Sequence, residues 1–197
     1  DQCLVDKLLF DQVNRCRGVS VVRSGQVWEI WADVAVVLCA GTVGSPQILM
    51  RSGIGCSAKL ESIDIPVLAD SPNVGENLHD HLLGAGNVYL SKRKVPTSAY
   101  QHSESLFYAG SENDKEAPKK VVACVSLPVV SEMFEAPEVG DAYTLLYGFT
   151  SPRSRGFVRL TSADPTIHPL IDPAYLSSDY DRRVFSEALD LSREIGS

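Results

Sequence analysis

The chain has 197 residues, of which 44% are hydrophobic and 22% charged, proportions typical of a globular domain. Its net charge of −7 argues against a nucleic-acid-binding surface, which needs a basic face, and no apolar run approaches the roughly 20 residues of a membrane span. Five cysteines without a C-x-x-C pair favour free thiols in a reducing compartment, so we expect a cytoplasmic protein.

The first thirty residues predict a three-stranded β-meander. Residues 4–10 form a short apolar run that is typical of a strand. The next two strands are predicted at 19–23 and 26–31, because these runs flank the two-residue turn Ser24-Gly25, a strong hairpin signal.

Residues 34–39, VAVVLC, are apolar at both alternating positions, which predicts a parallel strand buried on both faces. Ala40-Gly41 follow, and a helix is predicted with Ser45 as its cap and Pro46 at its first position. Gly53 suits a left-handed stop after its last residue. Neither phosphate-loop fingerprint, G-x-x-x-x-G-K-[ST] or G-x-G-x-x-G, is present. A strand that leads into a helix start is nevertheless where open α/β sheets place ligands.

The pattern changes near residue 80. Before it we predict a second short helix at 57–62, a strand at 65–69 and a short helix near Glu76. After it, strand-like runs are separated by longer polar stretches, which is typical of an antiparallel sheet; they lie at 86–91, 120–127, 142–149 and 156–161. Residues 111–120 are the best candidate for a mobile loop, and a last helix is predicted over 180–195, capped by Asp179.

Few residues in the sequence indicate a catalytic or metal-binding site. His79 and His81 flank Asp80, but no third ligand lies nearby, so we predict no metal site. No G-x-S-x-G motif supplies a hydrolase nucleophile. Tyr143, Tyr147 and Phe149 lie on one face of a predicted strand, where they either line a pocket for an apolar substrate or pack against the C-terminal helix.

Three collinear stretches resemble one family, the glucose–methanol–choline (GMC) flavoprotein oxidoreductases. Residues 41–55, GTVGSPQILMRSGIG, fit the second signature of that family. Residues 73–82, NVGENLHDHL, look like its next motif, and residues 154–176 are similar to the segment that opens its C-terminal substrate portion.

The resemblance implies an α/β (α+β) fold. Residues 1–80 are then the C-terminal part of an FAD-binding, partly Rossmann-like domain that includes the meander. Residues 81–197 are an incomplete substrate-binding domain with a mainly antiparallel sheet flanked by helices. Such enzymes pass a hydride from an alcohol carbon to flavin N5, giving an aldehyde, while a histidine base takes the hydroxyl proton.

The resemblance also implies cofactor-contacting residues. Val5 matches the residue whose backbone meets the adenine, and Ala40 and Gly41 match the turn beside the ribose and pyrophosphate. The motif that joins the domains near the flavin supplies three further residues, Asn77, Asp80 and His81. The substrate-pocket candidates remain Tyr143, Tyr147 and Phe149.

Two parts of the family pattern have no match here: the N-terminal G-x-G-x-x-G and the C-terminal segment with the catalytic histidine. We therefore expect the middle of a longer FAD-dependent alcohol oxidase or dehydrogenase, inactive without the remaining segments of the same enzyme, and we predict no catalytic residue in it. The alternatives are a non-redox enzyme of the hydroxynitrile lyase type and an isolated non-enzymatic binding fragment.

The aromatic residues favour an aromatic or apolar primary alcohol over a sugar. A choline-type substrate would need an aromatic cage with a carboxylate such as Glu132 or Glu135.

Overall fold

The structure is a computed structural model that describes residues 2–96, 98, 101–110 and 119–197. The predicted mobile loop therefore lies mostly outside the described residues. The fold is mixed α/β with antiparallel sheets and few helices, as the sequence predicts. No helix in the described part of the chain is long and apolar enough to cross a membrane.

The chain forms two compact units. Unit 1 comprises residues 1–78 and 155–174, and unit 2 comprises residues 79–154 and 175–197. The assignment of residues 1–80 to cofactor binding and of 81–197 to substrate binding stays a prediction. The elements follow the chain as β1 Leu4–Phe10, β2 Cys16–Arg23, β3 Gln26–Trp31, α1 Gly41–Arg51, β4 Ile54–Gly55, α2 Ser57–Glu61, β5 Ala69–Asp70, β6 Glu76–Leu78, β7 Leu82–Gly84, β8 Val88–Leu90, β9 Ser103–Ala109, β10 Lys120–Val125, β11 Ala142–Phe149, β12 Gly156–Arg159, β13 Leu170–Asp172 and α3 Asp179–Gly196.

The predicted meander is confirmed. Strands β1, β2 and β3 form an antiparallel sheet in that order. Ser24 and Gly25 both have positive φ, 50° and 75°, which is the type I′ turn that matches the twist of a two-residue hairpin.

The helix after this sheet begins four residues before the predicted cap. Helix α1 starts at Gly41, so Ser45 lies within it, where its Oγ accepts the Ala40 N–H at 3.1 Å. Pro46 is inside the helix as well, at the loss of one helical hydrogen bond. The predicted stop is confirmed, because Gly53 has φ +82° and donates its N–H to the Met50 carbonyl at 3.0 Å.

Two predicted strands in unit 1 are wrong wholly or in large part. Residues 34–39 form no strand, and Val34 and Val37 are 85% and 81% exposed. A doubly buried strand needs a pairing strand on each side, and the described residues place none beside this run. Of residues 65–69, only Ala69 enters a strand, the two-residue β5, and Pro66 has no N–H to donate to a partner strand.

The predicted helix near Glu76 is also wrong. Residues Glu76–Leu78 form strand β6, which pairs with β12. Gly75 and Asn77 have φ values of +81° and +61°, and the left-handed region cannot continue a right-handed helix.

Met50, Leu60 and Ile65 form the buried core cluster of unit 1.

Unit 2 is built on one antiparallel sheet, ordered β7-β11-β10-β9, with β8 pairing the other end of β11. The strands predicted at 86–91, 120–127 and 142–149 are confirmed there, whereas the one predicted at 156–161 forms β12 of unit 1. Helix α3, also predicted, packs on β11: Phe185 lies 5.0 Å from Tyr147 and 6.3 Å from Phe149 between ring centroids.

Candidate functional site

A cavity of about 600 Å³ in unit 1 brings together two of the predicted cofactor-binding residues, Val5 and Ala40. Val5 lies on β1, and Ala40 is the N-cap residue just before α1. The walls come from three places: the start of β1, one side of α1 along its length, and the loop that leads into β13. The lining residues are Leu4, Val5, Ala40, Val43, Gly44, Gln47, Ile48, Arg51, Pro165, Thr166, Ile167, His168, Pro169 and Ile171.

The start of α1 borders this cavity through Ala40, Val43 and Gly44. The N-cap is Ala40, whose methyl group cannot cap the first N–H groups of the helix, and the first turn contains no acidic residue. Gly41 has φ +76°, a conformation that favours glycine, and a Cβ added there would meet nothing within 4 Å. A helix start without a side-chain cap suits an anionic ligand, because the N–H groups and the helix dipole both favour negative charge.

Arg51, in the last turn of α1, fixes the helix against the edge of the meander. Its Nε donates to the Asp6 carbonyl at 2.9 Å and its Nη2 to the Val5 carbonyl at 3.3 Å. The next residue, Ser52, accepts the Leu8 N–H at 2.8 Å. The backbone of β1, including Val5, is thus held in place by two side chains from the end of one helix.

The Arg51 side chain is 5% exposed and lines the same cavity. Burial lowers the pKa of its guanidinium, while the Asp6 carboxylate, 3.3 Å away, favours the charged form. Its Nη1 is buried and has no hydrogen-bond partner among the described residues. A buried donor without a partner costs free energy.

Sequence reasoning missed Arg51 and His168 as lining residues. His168 lies in the loop before β13, which forms one wall of the cavity. The resemblance of residues 154–176 to the family segment was the available signal, but it did not indicate which part of the fold this loop contacts.

The other predicted cofactor-binding residues do not line this cavity. Asn77 is an exposed residue of β6 in unit 1. In unit 2, Asp80 accepts the His81 N–H and the Tyr175 hydroxyl, both at 2.8 Å. The hydrogen bond to Asp80 raises the pKa of the Tyr175 hydroxyl. Gly41 is not among the lining residues either, and cofactor contacts by Gly41, Asn77, Asp80 and His81 stay predictions.

The three predicted substrate-pocket residues have different surroundings. Tyr147 and Phe149 pack against α3, the second of the two roles that the sequence left open. Tyr143 stacks on Tyr89 at 5.5 Å and lines a separate cavity of about 340 Å³ in unit 2, together with Val95, Pro96, His102, Ser105, Cys124 and Ser126. Burial raises the pKa of the Cys124 thiol, which keeps it protonated. A substrate role for these aromatic residues stays a prediction.

Comparison with known proteins gives the family. The N-terminal family model of the GMC oxidoreductases matches residues 1–83, and the C-terminal model matches residues 152–197. The chain belongs to the GMC oxidoreductase family. Among curated GMC relatives, it is 46% identical over 163 residues to pyridoxine 4-oxidase of Microbacterium luteolum, and 34% identical over 195 residues to choline oxidase of Arthrobacter globiformis.

These matches take in 82% and 96% of this GMC chain but 32% and 36% of the two relatives, so the chain spans about a third of their length. Among solved structures, the crystal structure of pyridoxine 4-oxidase from Mesorbium loti superimposes with a TM-score of 0.91 at 44% identity. That match covers 98% of this chain and 38% of the crystallised one.

Proposed function

We propose that this chain is part of an FAD-dependent alcohol oxidoreductase, and that the cavity at the start of α1 holds part of the FAD. The observation that carries the proposal is the meeting of Val5 and Ala40 at one cavity in a chain of the GMC family. Both were expected to contact FAD from the sequence resemblance, and they are 35 positions apart in the chain.

The residues around this cavity fit a nucleotide diphosphate. The first turn of α1 has no side-chain cap, so its N–H groups remain available to the diphosphate, and no atom lies within 4 Å of the place where a Cβ on Gly41 would stand. The backbone of Val5, held by Arg51, would contact the adenine.

When bound, the flavin would accept the hydride from the alcohol carbon, which gives an aldehyde. This chain's own contribution is to bind and orient: unit 1 holds the cofactor end described above, and the sheet of unit 2 supplies substrate contacts. We assign no catalytic residue among these 197 residues, since neither His79 nor His81 matches the family's base. The remaining segments of the same polypeptide are the proposed partners.

For the substrate we propose an aromatic alcohol of the pyridoxine type. The identity to pyridoxine 4-oxidase exceeds that to choline oxidase, at 46% against 34%. A choline cage would need aromatic faces around a cation, but Tyr147 and Phe149 pack against α3. We also propose a reducing compartment such as the cytoplasm, which the five free cysteines support.

The test uses the complete product of the gene. Its FAD content is measured first, and the protein is then mixed anaerobically with pyridoxine or with choline while the visible absorbance of oxidised flavin is recorded. We expect bound FAD that pyridoxine bleaches faster than choline. Bound flavin that no alcohol bleaches would favour the hydroxynitrile lyase type, and a product that binds no flavin would refute the proposal.

A substitution in the cavity locates the site. Gly44→Val places a side chain beside Ala40, since even a Cβ at Gly44 lies 3.0 Å from the Ala40 Cβ. We expect this variant to fold but to retain less FAD. Ala58→Val, on the exposed side of α2, introduces the same side chain away from the cavity and should retain FAD like the unmodified protein. Equal FAD content in the two variants would place the cofactor elsewhere.

A further inference from the structure

A group of basic side chains meets at one end of the unit 2 sheet. They come from the start of β10, the loop after β11 and the first turns of α3, and we call them the basic cluster: Lys119, Lys120, Arg153 and Arg183. They line a cavity of about 380 Å³ whose remaining walls are Ala109, Gly110, Tyr180, Val184 and Glu187. This cavity lies wholly within unit 2 and shares no residue with the cavity of unit 1.

The ring of Tyr180 is the centre of the basic cluster. The Arg153 guanidinium carbon lies 3.9 Å from the ring centroid, and Lys119 Nζ and the Arg183 guanidinium carbon each lie 5.7 Å from it. Cation–π contacts of this kind orient the cations without neutralising them.

Among the described residues, Glu187 is the one carboxylate that lines this cavity. Glu187 accepts from Lys120 Nζ at 3.3 Å and lies 3.8 Å from Arg183 Nε. The nearby Asp181 is fully buried and accepts the backbone N–H of Arg153 at 2.8 Å. The described lining of the cavity thus contains four basic side chains and one carboxylate, within a chain whose net charge is −7.

The types of side chain indicate the ligand. Guanidinium groups bind phosphate oxygens through paired N–H donors, and ammonium groups add compact charge around them. The aromatic ring holds Arg153 in a fixed orientation, which reduces the side-chain entropy lost on binding. A volume of about 380 Å³ exceeds the needs of a single ion and lies in the range of small-molecule sites.

We propose that the basic cluster binds the phosphate group of a small-molecule anion, at a site separate from the proposed cofactor cavity. The bound anion would join α3, through Arg183, to the sheet and the β11 loop, through Lys119, Lys120 and Arg153. Binding therefore stabilises the packing of α3 on the sheet, since a ligand that binds only the folded state raises its stability.

The experiment uses the complete gene product saturated with FAD, titrated by calorimetry with inorganic phosphate and, separately, with phenyl phosphate. We expect saturable binding that weakens with added sodium chloride. Tighter binding of phenyl phosphate would identify a phosphate ester as the ligand class, whereas equal binding would identify the free phosphate ion. Either result supports the site.

The variant Arg153→Gln/Arg183→Gln removes two cations of the basic cluster, and we expect its affinity to fall at least tenfold. The matched control is Lys92→Gln/Arg93→Gln, which removes the same charge from exposed positions of unit 2 and should change affinity less than twofold. If the first variant fails to fold, Arg183→Gln alone, whose side chain is 68% exposed, should still weaken binding about threefold. The absence of saturable binding, or equal losses in the cluster and control variants, would overturn the proposal.

Discussion

Replacing Thr144 by valine should destabilise unit 2 although the two side chains have nearly the same shape. Thr144 is fully buried on β11, where its hydroxyl accepts the Val129 N–H at 2.8 Å and donates to the Leu127 carbonyl at 2.7 Å. Valine removes this partner from two backbone groups of half-buried residues, at about 1–3 kcal/mol each. The added methyl group offsets about 0.8 kcal/mol. We therefore expect the free energy of unfolding to fall by about 1–5 kcal/mol.

The assay is urea denaturation of the complete gene product, followed by circular dichroism, with Thr150→Val as the control. The Thr150 hydroxyl lies 3.5 Å from the Lys119 carbonyl, the limit of a hydrogen bond, and is only half-buried. Its substitution should change the free energy of unfolding by about 0.5 kcal/mol or less. A Thr144→Val variant within about 1 kcal/mol of the unmodified protein would show that these two hydrogen bonds do not hold the 127–129 segment on the sheet.

Three further substitutions test other parts of the fold. Asp181→Asn places an amide N–H against the backbone N–H groups that now donate to the carboxylate, so urea denaturation should show that the free energy of unfolding falls by about 3 kcal/mol. The control Asp190→Asn, at an exposed position, should have little effect. Gly75→Ala would place a Cβ 2.2 Å from a carbonyl oxygen of β12, so its melting temperature should fall further than that of Gly86→Ala, which has a similar φ but no atom within 4 Å. The Lys59 ammonium, 2.6 Å from the Glu76 carboxylate, lowers the pKa of Glu76 from its usual value of 4.5. The ion pair therefore stabilises unit 1 fully above pH 4.5, and this stability is lost as the pH falls through the lowered pKa. Glu76→Gln should accordingly flatten the decline of the melting temperature in acid, and an unchanged pH profile would contradict this.

The elements that could be predicted from the sequence are those fixed by local signals. The turn Ser24-Gly25 determined the hairpin, and the helical spacing of apolar residues determined α3. The start of α1 was wrong because two residues with strong preferences, Ser45 and Pro46, lie inside the helix, while the actual first residue is a left-handed Gly41.

The remaining errors concern pairings between distant segments. Residues 34–39 have the composition of a buried strand, but composition does not reveal whether neighbouring strands are present. Strand β6 depends on β12, which lies some eighty residues later and gives no local signal near Glu76. The cavity of unit 1 could be predicted in part: family resemblance located Val5 and Ala40, whereas Arg51 and His168 needed the three-dimensional packing.

The division of each unit into two stretches has a consequence for folding. Leu78 pairs with Gly156, so the sheet of unit 1 closes a loop that contains the middle stretch of unit 2, at an entropic cost on the order of 4 kcal/mol for a flexible chain. Unit 2 in turn receives α3 from the stretch that follows residues 155–174 of unit 1. During synthesis unit 1 therefore cannot complete its native contacts before residues 155–174 have left the ribosome, and unit 2 cannot do so before residues 175–197 have followed.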